Sequence, residues 1–250
     1  MEKRKFELNE MTLQSIAMFC MVLDHMWATV MSQNLWMNCL GRLTFPIFAF
    51  TTVEGYFHTK DFRGYIKRLL LLAVISEIPF NLINSATLIF PFHQNVIWTF
   101  IISLLCIHGI EKVKAKGSKV KTAFSAAGLA LLGFILGFAF MTDFFGTGVL
   151  MILVFYFFRG RKWYHFLGQV LCLYWVNVVL IKGMDIPLTL LGHELFFPVQ
   201  GIALFALIPI WLYRGKQGPN GKAWRWFKYG FYPAHMLILY GISWVISAMA

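Results

Sequence analysis

Residues 16–30, IAMFCMVLDHMWATV, form an apolar stretch whose only ionisable residues are the adjacent Asp24 and His25. About 20 residues of this character are what a helix needs to cross the hydrocarbon core of a bilayer. An ionisable side chain inside that core costs about 2.5 kcal/mol or more unless it faces a cavity or a partner. A chain that keeps two such residues side by side is expected to use them, so the pair is the strongest functional indicator in the sequence.

Composition places the rest of the chain in the same class as this stretch. Of its 250 residues, 59% are hydrophobic and 13% are charged, whereas soluble domains carry about 25% charged residues. The sequence therefore predicts an all-α, polytopic transmembrane helix bundle, with residues 1–250 forming a single transmembrane domain. The net charge is +11, and the Lys and Arg residues that produce it cluster in short connections between apolar segments. This placement predicts contact with membrane lipid and no nucleic-acid partner.

Nine apolar segments are predicted to be transmembrane spans, the sixth being the shortest. They are residues 11–31, 40–57, 65–83, 95–110, 122–141, 145–158, 163–181, 197–213 and 230–249. All Lys and Arg residues except Arg42 and Lys182 lie in the N-terminal tail or at alternate connections. Because cytoplasmic loops are enriched in Lys and Arg, this predicts a cytoplasmic N-terminus and an external C-terminus, in a bacterial-type cytoplasmic (inner) membrane.

Because each span has a predicted direction, the polar residues can be sorted by depth. At 1.5 Å per residue, His25 is predicted to lie about 6 Å beyond the midplane, towards the outside. The predicted outer layer contains Asp24, His25, Arg42, Glu77, Asn81, Asn95 and Asp143. The predicted inner layer contains Glu54, His58, Tyr232 and His235. The outer layer combines a base, a cation and three acids, which suits proton transfer and stabilisation of an anion in a dry cavity.

Adjacent residues project about 100° apart on a helix, so Asp24 and His25 cannot face the same partner. We expect Asp24 to pair with another helix through Arg42, while His25 faces the cavity. A structural polar pair is the alternative, as is a role for Arg42 as an interfacial anchor. Glu77 is deep and has no obvious local cation, which favours a functional or gating role. Asp143 is also compatible with capping a helix or forming a turn.

Other features limit the chemistry further. Glu54 and His58 are four residues apart and share a helix face, but they also fit a snorkelling surface pair. The sequence has no GxSxG, HExxH or P-loop motif, and no CxxC spacing, so no metal is predicted. Hydrolytic-serine, zinc-protease and ATP-driven functions lose support.

Several short motifs occur together in this chain. They are Ser15-Ile16-Ala17, Leu23-Asp24-His25, GRLTFPIFAF at 41–50, VEGYFHT at 53–59, YIKRL at 65–69, ISEIPF at 75–80, Asn95-Val96 and FYPAH at 231–235. Their combination resembles the TraX family, named for the membrane protein that acetylates the N-terminus of conjugative pilin. The resemblance is dense over 15–100 and 227–240 and thin between 105 and 225. Where the family tends to have Asp-Tyr-Gly, this chain has Asp143-Phe144-Phe145.

The resemblance implies acyl transfer from acetyl-CoA to an amine or hydroxyl on a peptide, a pilin-like protein, a glycan or a small molecule. The implied catalytic residues are His25, Asp24, Arg42 and Glu77. His25 would be the general base or carry the acetyl group, Asp24 would orient it, and Arg42 would stabilise the oxyanion. The residues expected at acetyl-CoA are Glu54, His58, Lys60, Arg63, Lys67, Tyr232 and His235. Those expected on the acceptor side are Asn81, Asn95 and Asp143.

Two other classes of function are compatible with the same residues. A proton-coupled transporter or flippase would use the outer acids as a proton relay, although no internal repeat of the kind found in many transporters is visible. A non-catalytic membrane assembly or immunity factor would keep its function when the outer charges are removed.

Overall fold

The computed structural model of the protein describes residues 7–190, 192–219 and 221–249. The α-helices are α1 Glu10–Thr29, α2 Leu35–Gly41, α3 Thr44–His58, α4 Phe62–Ser85, α5 Val96–Lys114, α6 Lys119–Ala139, α7 Phe145–Phe157, α8 Trp163–Tyr174, α9 Leu207–Leu212 and α10 Lys222–Met249. A π-helical segment, Trp175–Ile181, continues α8, and a 3₁₀ segment, Val199–Ala206, precedes α9. The strands β1 Asp185–Leu190 and β2 His193–Pro198 form an antiparallel hairpin. The predicted helical fold class is confirmed.

Four helical segments in the described ranges are long and apolar enough to cross a membrane, namely α5, α6, α8 with its π-helical continuation, and α10. The segments Phe145–Phe157 and Val199–Leu212 are apolar but shorter. Each of the nine predicted spans coincides with a helical segment. Length and apolarity alone, however, identify four spans and not nine.

The chain divides into two compact units. Unit 1 comprises Met1–Thr51 and Asn177–Ala250, and unit 2 comprises Thr52–Val176. Four helices begin at polar side chains that accept a hydrogen bond from a first-turn backbone N–H, which satisfies one of the donors that a helix start leaves unpaired. These caps are Asn9, Asp61, Asn95 and Ser118.

In unit 1, the start of α1 lies beside the connection that leads into α10. The backbone N–H of Leu8 donates to the carbonyl of Leu212 at 3.1 Å, and that of Glu10 donates to Lys216 at 2.9 Å. The Lys216 ammonium also pairs with the Glu7 carboxylate at 2.8 Å. Because this connection leads into α10, which also contacts α1, the two helices begin close together.

In unit 2, α5, α6 and α7 pack against one another, and their connections alternate between two ends. At one end, Gln94 bonds to the connection after α6 through Met141 and Asp143, at 2.9 and 2.8 Å. The opposite end carries the lysines between α5 and α6 together with Arg159, which follows α7. We call this opposite end the basic end.

The short helix α7 forms the core of unit 2. Its 13 residues span about 20 Å, less than the roughly 30 Å of a bilayer core. Val149, Met151 and Ile152 are fully buried, so this helix is shielded by protein over most of its length. Its approach to α6 depends on two glycines, because a Cβ on Gly137 would lie 2.7 Å from backbone atoms of Gly146. Small residues allow this close packing of membrane helices.

We predict that Gly137→Ala lowers the thermal stability of the detergent-solubilised protein, because the added methyl group forces α6 and α7 apart at a backbone contact. Gly128→Ala, on the same helix, is the matched control, since a Cβ there meets nothing within 4 Å. The control should be neutral or stabilise by up to about 1 kcal/mol through helix propensity. Equal melting temperatures for the two variants would contradict the proposed packing.

Candidate functional site

Asp24 is held by a network of polar side chains in unit 1. The Nη2 of Arg42 donates to Asp24 Oδ1 at 2.5 Å, and Asn38 Nδ2 donates to the same oxygen at 2.9 Å. Arg42 Nη1 also donates to Gln200 Oε1 at 3.2 Å. The predicted pairing of Asp24 with Arg42 is therefore confirmed. The two amide side chains were not identified from the sequence, because nothing local marks Asn38 or Gln200 as partners of an ion pair.

Gly41 allows α2 to approach α1 closely enough for this network to form. A Cβ at Gly41 would overlap the Cβ and Oδ1 of Asp24. This contact explains the first two residues of the GRLTFPIFAF motif. Gly41 leaves space for the Asp24 carboxylate, and Arg42, the next residue, neutralises its charge.

His25 faces a different helix from Asp24, as the 100° projection predicts. Its Nδ1 lies 2.7 Å from His235 Nε2, and His235 Nδ1 lies 2.9 Å from the backbone carbonyl of Phe231. The two rings are within 4° of parallel, with centroids 4.9 Å apart. The distance between the centroids is close to the sum of the distance between His25 Nδ1 and His235 Nε2 and two ring radii. The rings therefore lie end to end in nearly one plane and are not stacked one above the other.

The tautomers of both histidines follow from this chain of hydrogen bonds. A carbonyl can only accept, so His235 Nδ1 carries the hydrogen that points to Phe231. In the neutral ring the other nitrogen, Nε2, is then an acceptor, and His25 must donate to it from Nδ1. The remaining nitrogen of His25, Nε2, therefore keeps its lone pair, which is the form that a general base or nucleophile requires.

The predicted placement of His25 and His235 in separate layers is wrong, because the two side chains are hydrogen-bonded. The error arises from the start of α10. This helix begins at Lys222, eight residues before the predicted span, so His235 lies about 20 Å along it at 1.5 Å per residue. Tyr232 is buried beside His235, with ring centroids 5.9 Å apart, so it also belongs with the predicted catalytic pair.

Glu77 lies in unit 2, where it joins α4 to the start of α5. Its Oε1 accepts from Asn95 Nδ2 at 2.6 Å, from the Asn95 backbone at 3.2 Å and from Trp98 Nε1 at 2.7 Å. Its Oε2 is buried without a hydrogen-bond partner among the described residues. Asn95 also caps α5, and Asn81 donates to the carbonyl of Leu88 at 3.3 Å. The predicted acceptor-side residues Asn81 and Asn95 thus have structural hydrogen bonds.

His93, which sequence analysis did not identify, lies 3.5 Å from Asp143 in unit 2. The hydrogen bond that His93 donates to the Asp143 carboxylate raises the pKa of His93, burial lowers it, and the charges of Asp143 and Glu77 raise it further. Asp143 also accepts from the backbone N–H of Phe144 at 3.1 Å, which supports the predicted turn role. Phe144 and Phe145 have φ of 60° and 47°. Positive φ favours glycine, so both phenylalanines hold a backbone conformation that side chains rarely adopt.

The residues predicted to contact acetyl-CoA are divided between the two units. Glu54 is buried, and its carboxylate accepts from Arg159 at 2.6 and 3.3 Å. His58 is exposed and its Nδ1 donates to the Glu54 backbone carbonyl at 2.7 Å. Because the Glu54 carboxylate is buried against Arg159, the two residues are not a snorkelling surface pair. Lys60, Arg63 and Lys67 are exposed in unit 2. Tyr232 and His235, by contrast, belong to unit 1.

Comparison with known proteins yields one family and one relative. The family model described as "TraX protein" matches residues 9–243. The protein "Probable fimbrial assembly protein FimC, serogroup H1" of Dichelobacter nodosus is 36% identical over 115 residues, which cover 42% of this chain and 47% of the relative. The chain thus aligns with less than half of that relative's length. No solved structure matches the chain.

We predict that Asp24 and Arg42 are energetically coupled. In a double-mutant cycle with Asp24→Ala and Arg42→Ala, the coupling free energy should be about 1–3 kcal/mol, because each single variant leaves a partly buried charge unpaired. Reversible unfolding in mixed micelles measures it. The exposed pair Glu7–Lys216 is the control and should give about 1 kcal/mol or less. Additive effects of Asp24→Ala and Arg42→Ala would show that the pair is not coupled.

We predict a pH-dependent stability from His93. Its pKa is raised above the ordinary value of 6.5, so the stabilisation by its charged form is fully present below pH 6.5 and is lost as the pH rises through the raised pKa. The melting temperature of the wild type should therefore fall over that interval, and His93→Gln should flatten the fall. His193→Gln, in the exposed strand β2, is the control. A His93→Gln profile parallel to the wild type would contradict the assignment.

Proposed function

This chain belongs to the TraX family, and we propose that it is an integral membrane acetyltransferase that uses acetyl-CoA as the acyl donor. The observation that carries the proposal is the chain from Phe231 through His235 to His25. It supports a His25 Nε2 that is unprotonated at rest and is oriented by a second histidine. An oriented imidazole lone pair is the usual device for activating an amine or hydroxyl.

In the proposed reaction, the acceptor amine or hydroxyl attacks the thioester carbonyl while His25 Nε2 takes its proton. The new C–N or C–O bond forms, the tetrahedral oxyanion collapses, the C–S bond breaks, and the leaving thiolate takes the proton from His25. Arg42 makes one hydrogen bond from each terminal nitrogen, so each keeps an N–H that can stabilise the oxyanion. Asp24 and His235 are positioning residues. Transient acetylation of His25 Nε2 is the covalent variant of the same reaction.

The roles predicted for Glu77, Asn81 and Asp143 in catalysis and at the acceptor stay predictions, because these residues belong to unit 2 and the histidine pair belongs to unit 1.

We place the protein in a bacterial-type cytoplasmic membrane as a multi-pass protein with nine spans, the N-terminus inside and the C-terminus outside. The closeness of the α1 and α10 starts supports this topology, as do the alternating ends of unit 2. The short α7 can serve as a span because protein surrounds it, so it need not match the bilayer thickness by itself.

The acceptor that we propose to test first is a fimbrial or pilin-like subunit. The relative from Dichelobacter nodosus carries a fimbrial assembly name, and a subunit held in the membrane before assembly would present its amine to a membrane enzyme. The same name also favours the second candidate, a non-catalytic assembly factor. The two candidates make different predictions: fimbriation requires His25 Nε2 if the protein acts by acetylating the subunit, and does not require it if the protein is a non-catalytic assembly factor.

We predict that His25→Gln abolishes acetyl transfer, with a loss of about 10²-fold or more, because glutamine cannot take the proton. His235→Gln should reduce the rate less and shift its pH profile, since it changes the tautomer of His25 and leaves the base in place. The measurement is mass spectrometry of envelope peptides and glycans for an acetyl-sized difference, in cells that carry each variant. His193→Gln is the control. If folded His25→Gln supports wild-type acetylation, His25 is not the base; if fimbriation persists without any acetylation, the assembly role is favoured.

A further inference from the structure

A cavity of about 570 Å³ lies at the basic end of unit 2. Its walls come from the C-terminal ends of α3 and α5, the turn between α5 and α6, the first turns of α6, and the end of α7. Sites for small molecules and cofactors have volumes of about 300–1,000 Å³. The cavity is therefore large enough for a ligand of that size.

Three cations line this cavity, and two of them are held in place by carboxylates. Lys114 pairs with Glu111 at 2.8 Å, and Arg159 pairs with the buried Glu54 at 2.6 Å. Among the described residues, no carboxylate lies within ion-pair distance of the third cation, Lys119. The lining thus keeps a net positive charge, and two of the cations are already positioned.

The start of α6 adds to this positive charge. Gly117 turns the chain with φ of +81°, and no atom would meet a Cβ placed there, so the turn leaves open space. Ser118 then caps the helix by accepting from the backbone N–H of Lys121 at 3.3 Å. The first N–H groups of this 21-residue helix have no carbonyl partner within the helix, and they favour a bound anion.

The remaining lining of the cavity is largely apolar and aromatic. The rings of Phe57 and Tyr156 lie 5° from parallel with centroids 6.2 Å apart, and the Arg159 guanidinium lies 4.2 Å from the centroid of Phe57. Ile110 and Ala126 add aliphatic surface. The lining therefore suits a ligand that carries both anionic groups and an apolar or aromatic portion.

We infer that this cavity binds a phosphate-bearing amphiphile, with its phosphates at Lys114, Lys119 and the start of α6 and its apolar part against Phe57 and Tyr156. If the proposed function holds, on which this identification rests, the ligand is the nucleotide portion of the acyl donor. An anionic phospholipid offers the same chemistry. The lysines and arginine that sequence analysis assigned to the donor, at positions 60, 63 and 67, do not line the cavity.

The test is binding of CoA to the purified full-length chain in detergent, with Lys119→Gln as the variant. CoA affinity should fall roughly tenfold or more, as expected when a charge-assisted hydrogen bond is lost. Affinity for pantetheine, which lacks the nucleotide phosphates, should not change. Lys116→Gln is the matched control, because Lys116 is exposed on the same turn and lies outside the lining. Ala126→Phe reduces the cavity without altering charge and should weaken CoA binding as well.

A second arm distinguishes the two sources of phosphate. The same variants are reconstituted in nanodiscs of phosphatidylglycerol or phosphatidylcholine, and the retained phosphatidylglycerol is measured. Loss of phosphatidylglycerol with unchanged CoA affinity assigns the site to a lipid headgroup. If Lys119→Gln changes neither CoA nor phosphatidylglycerol binding, the inference is overturned. CoA binding that depends on Lys119 in a protein without acetyl transfer would refute the proposed function and leave the cavity assignment standing. If acetyl transfer is unchanged in the Lys119→Gln and Ala126→Phe variants, the proposed function stands and the cavity assignment is refuted.

Discussion

The ion pair between Asp24 and Arg42 is the constraint on which the candidate site depends. A lone carboxylate among apolar helices is costly, and a partner that neutralises it must also satisfy its remaining hydrogen bonds. Here Arg42 and Asn38 share one oxygen of Asp24, and Gly41 lets their helix come close enough to do so. Because Asp24 commits its face of α1 to this contact, the next residue is turned towards α10. The ion pair thereby sets the direction of His25.

Features that depend on local sequence could be predicted, and features that depend on the pairing of distant segments could not. The helical segments and the ion pair between Asp24 and Arg42 follow from apolar periodicity, charge and depth. The contact of His25 with His235 was missed because predicting it requires the start of α10 to be placed within a few residues. The ends of helices are the part of a helix that a sequence predicts least reliably. His93 was missed for another reason: it lies in a connection, and only the fold brings the turn at Asp143 beside it.

The two ends of unit 2 carry different charged groups. At the basic end, Glu54 is buried and paired with Arg159, so the glutamate in the VEG motif anchors a cation that follows α7. At the opposite end, the polar groups include a histidine, two carboxylates and amides. Between them, α7 is almost wholly buried, and its contact with α6 uses two glycines. In the proposed nine-span topology, α7 can be short because neighbouring helices cover its backbone and side chains.

The hydrogen-bond chain at His25 does not suit a proton relay through His235. A relay along fixed groups must release the proton at a different group from the one at which it arrived. A proton taken up at His25 Nε2 can release the Nδ1 proton to His235 Nε2, but the next hydrogen, on His235 Nδ1, points at the carbonyl of Phe231. A backbone carbonyl does not pass a proton on, so the chain ends there. Acetyl transfer makes no such demand, because the proton taken from the acceptor returns to the leaving thiolate at the same nitrogen. The geometry therefore suits a base that takes up and releases a proton at the same nitrogen, as the proposed acetyl transfer requires.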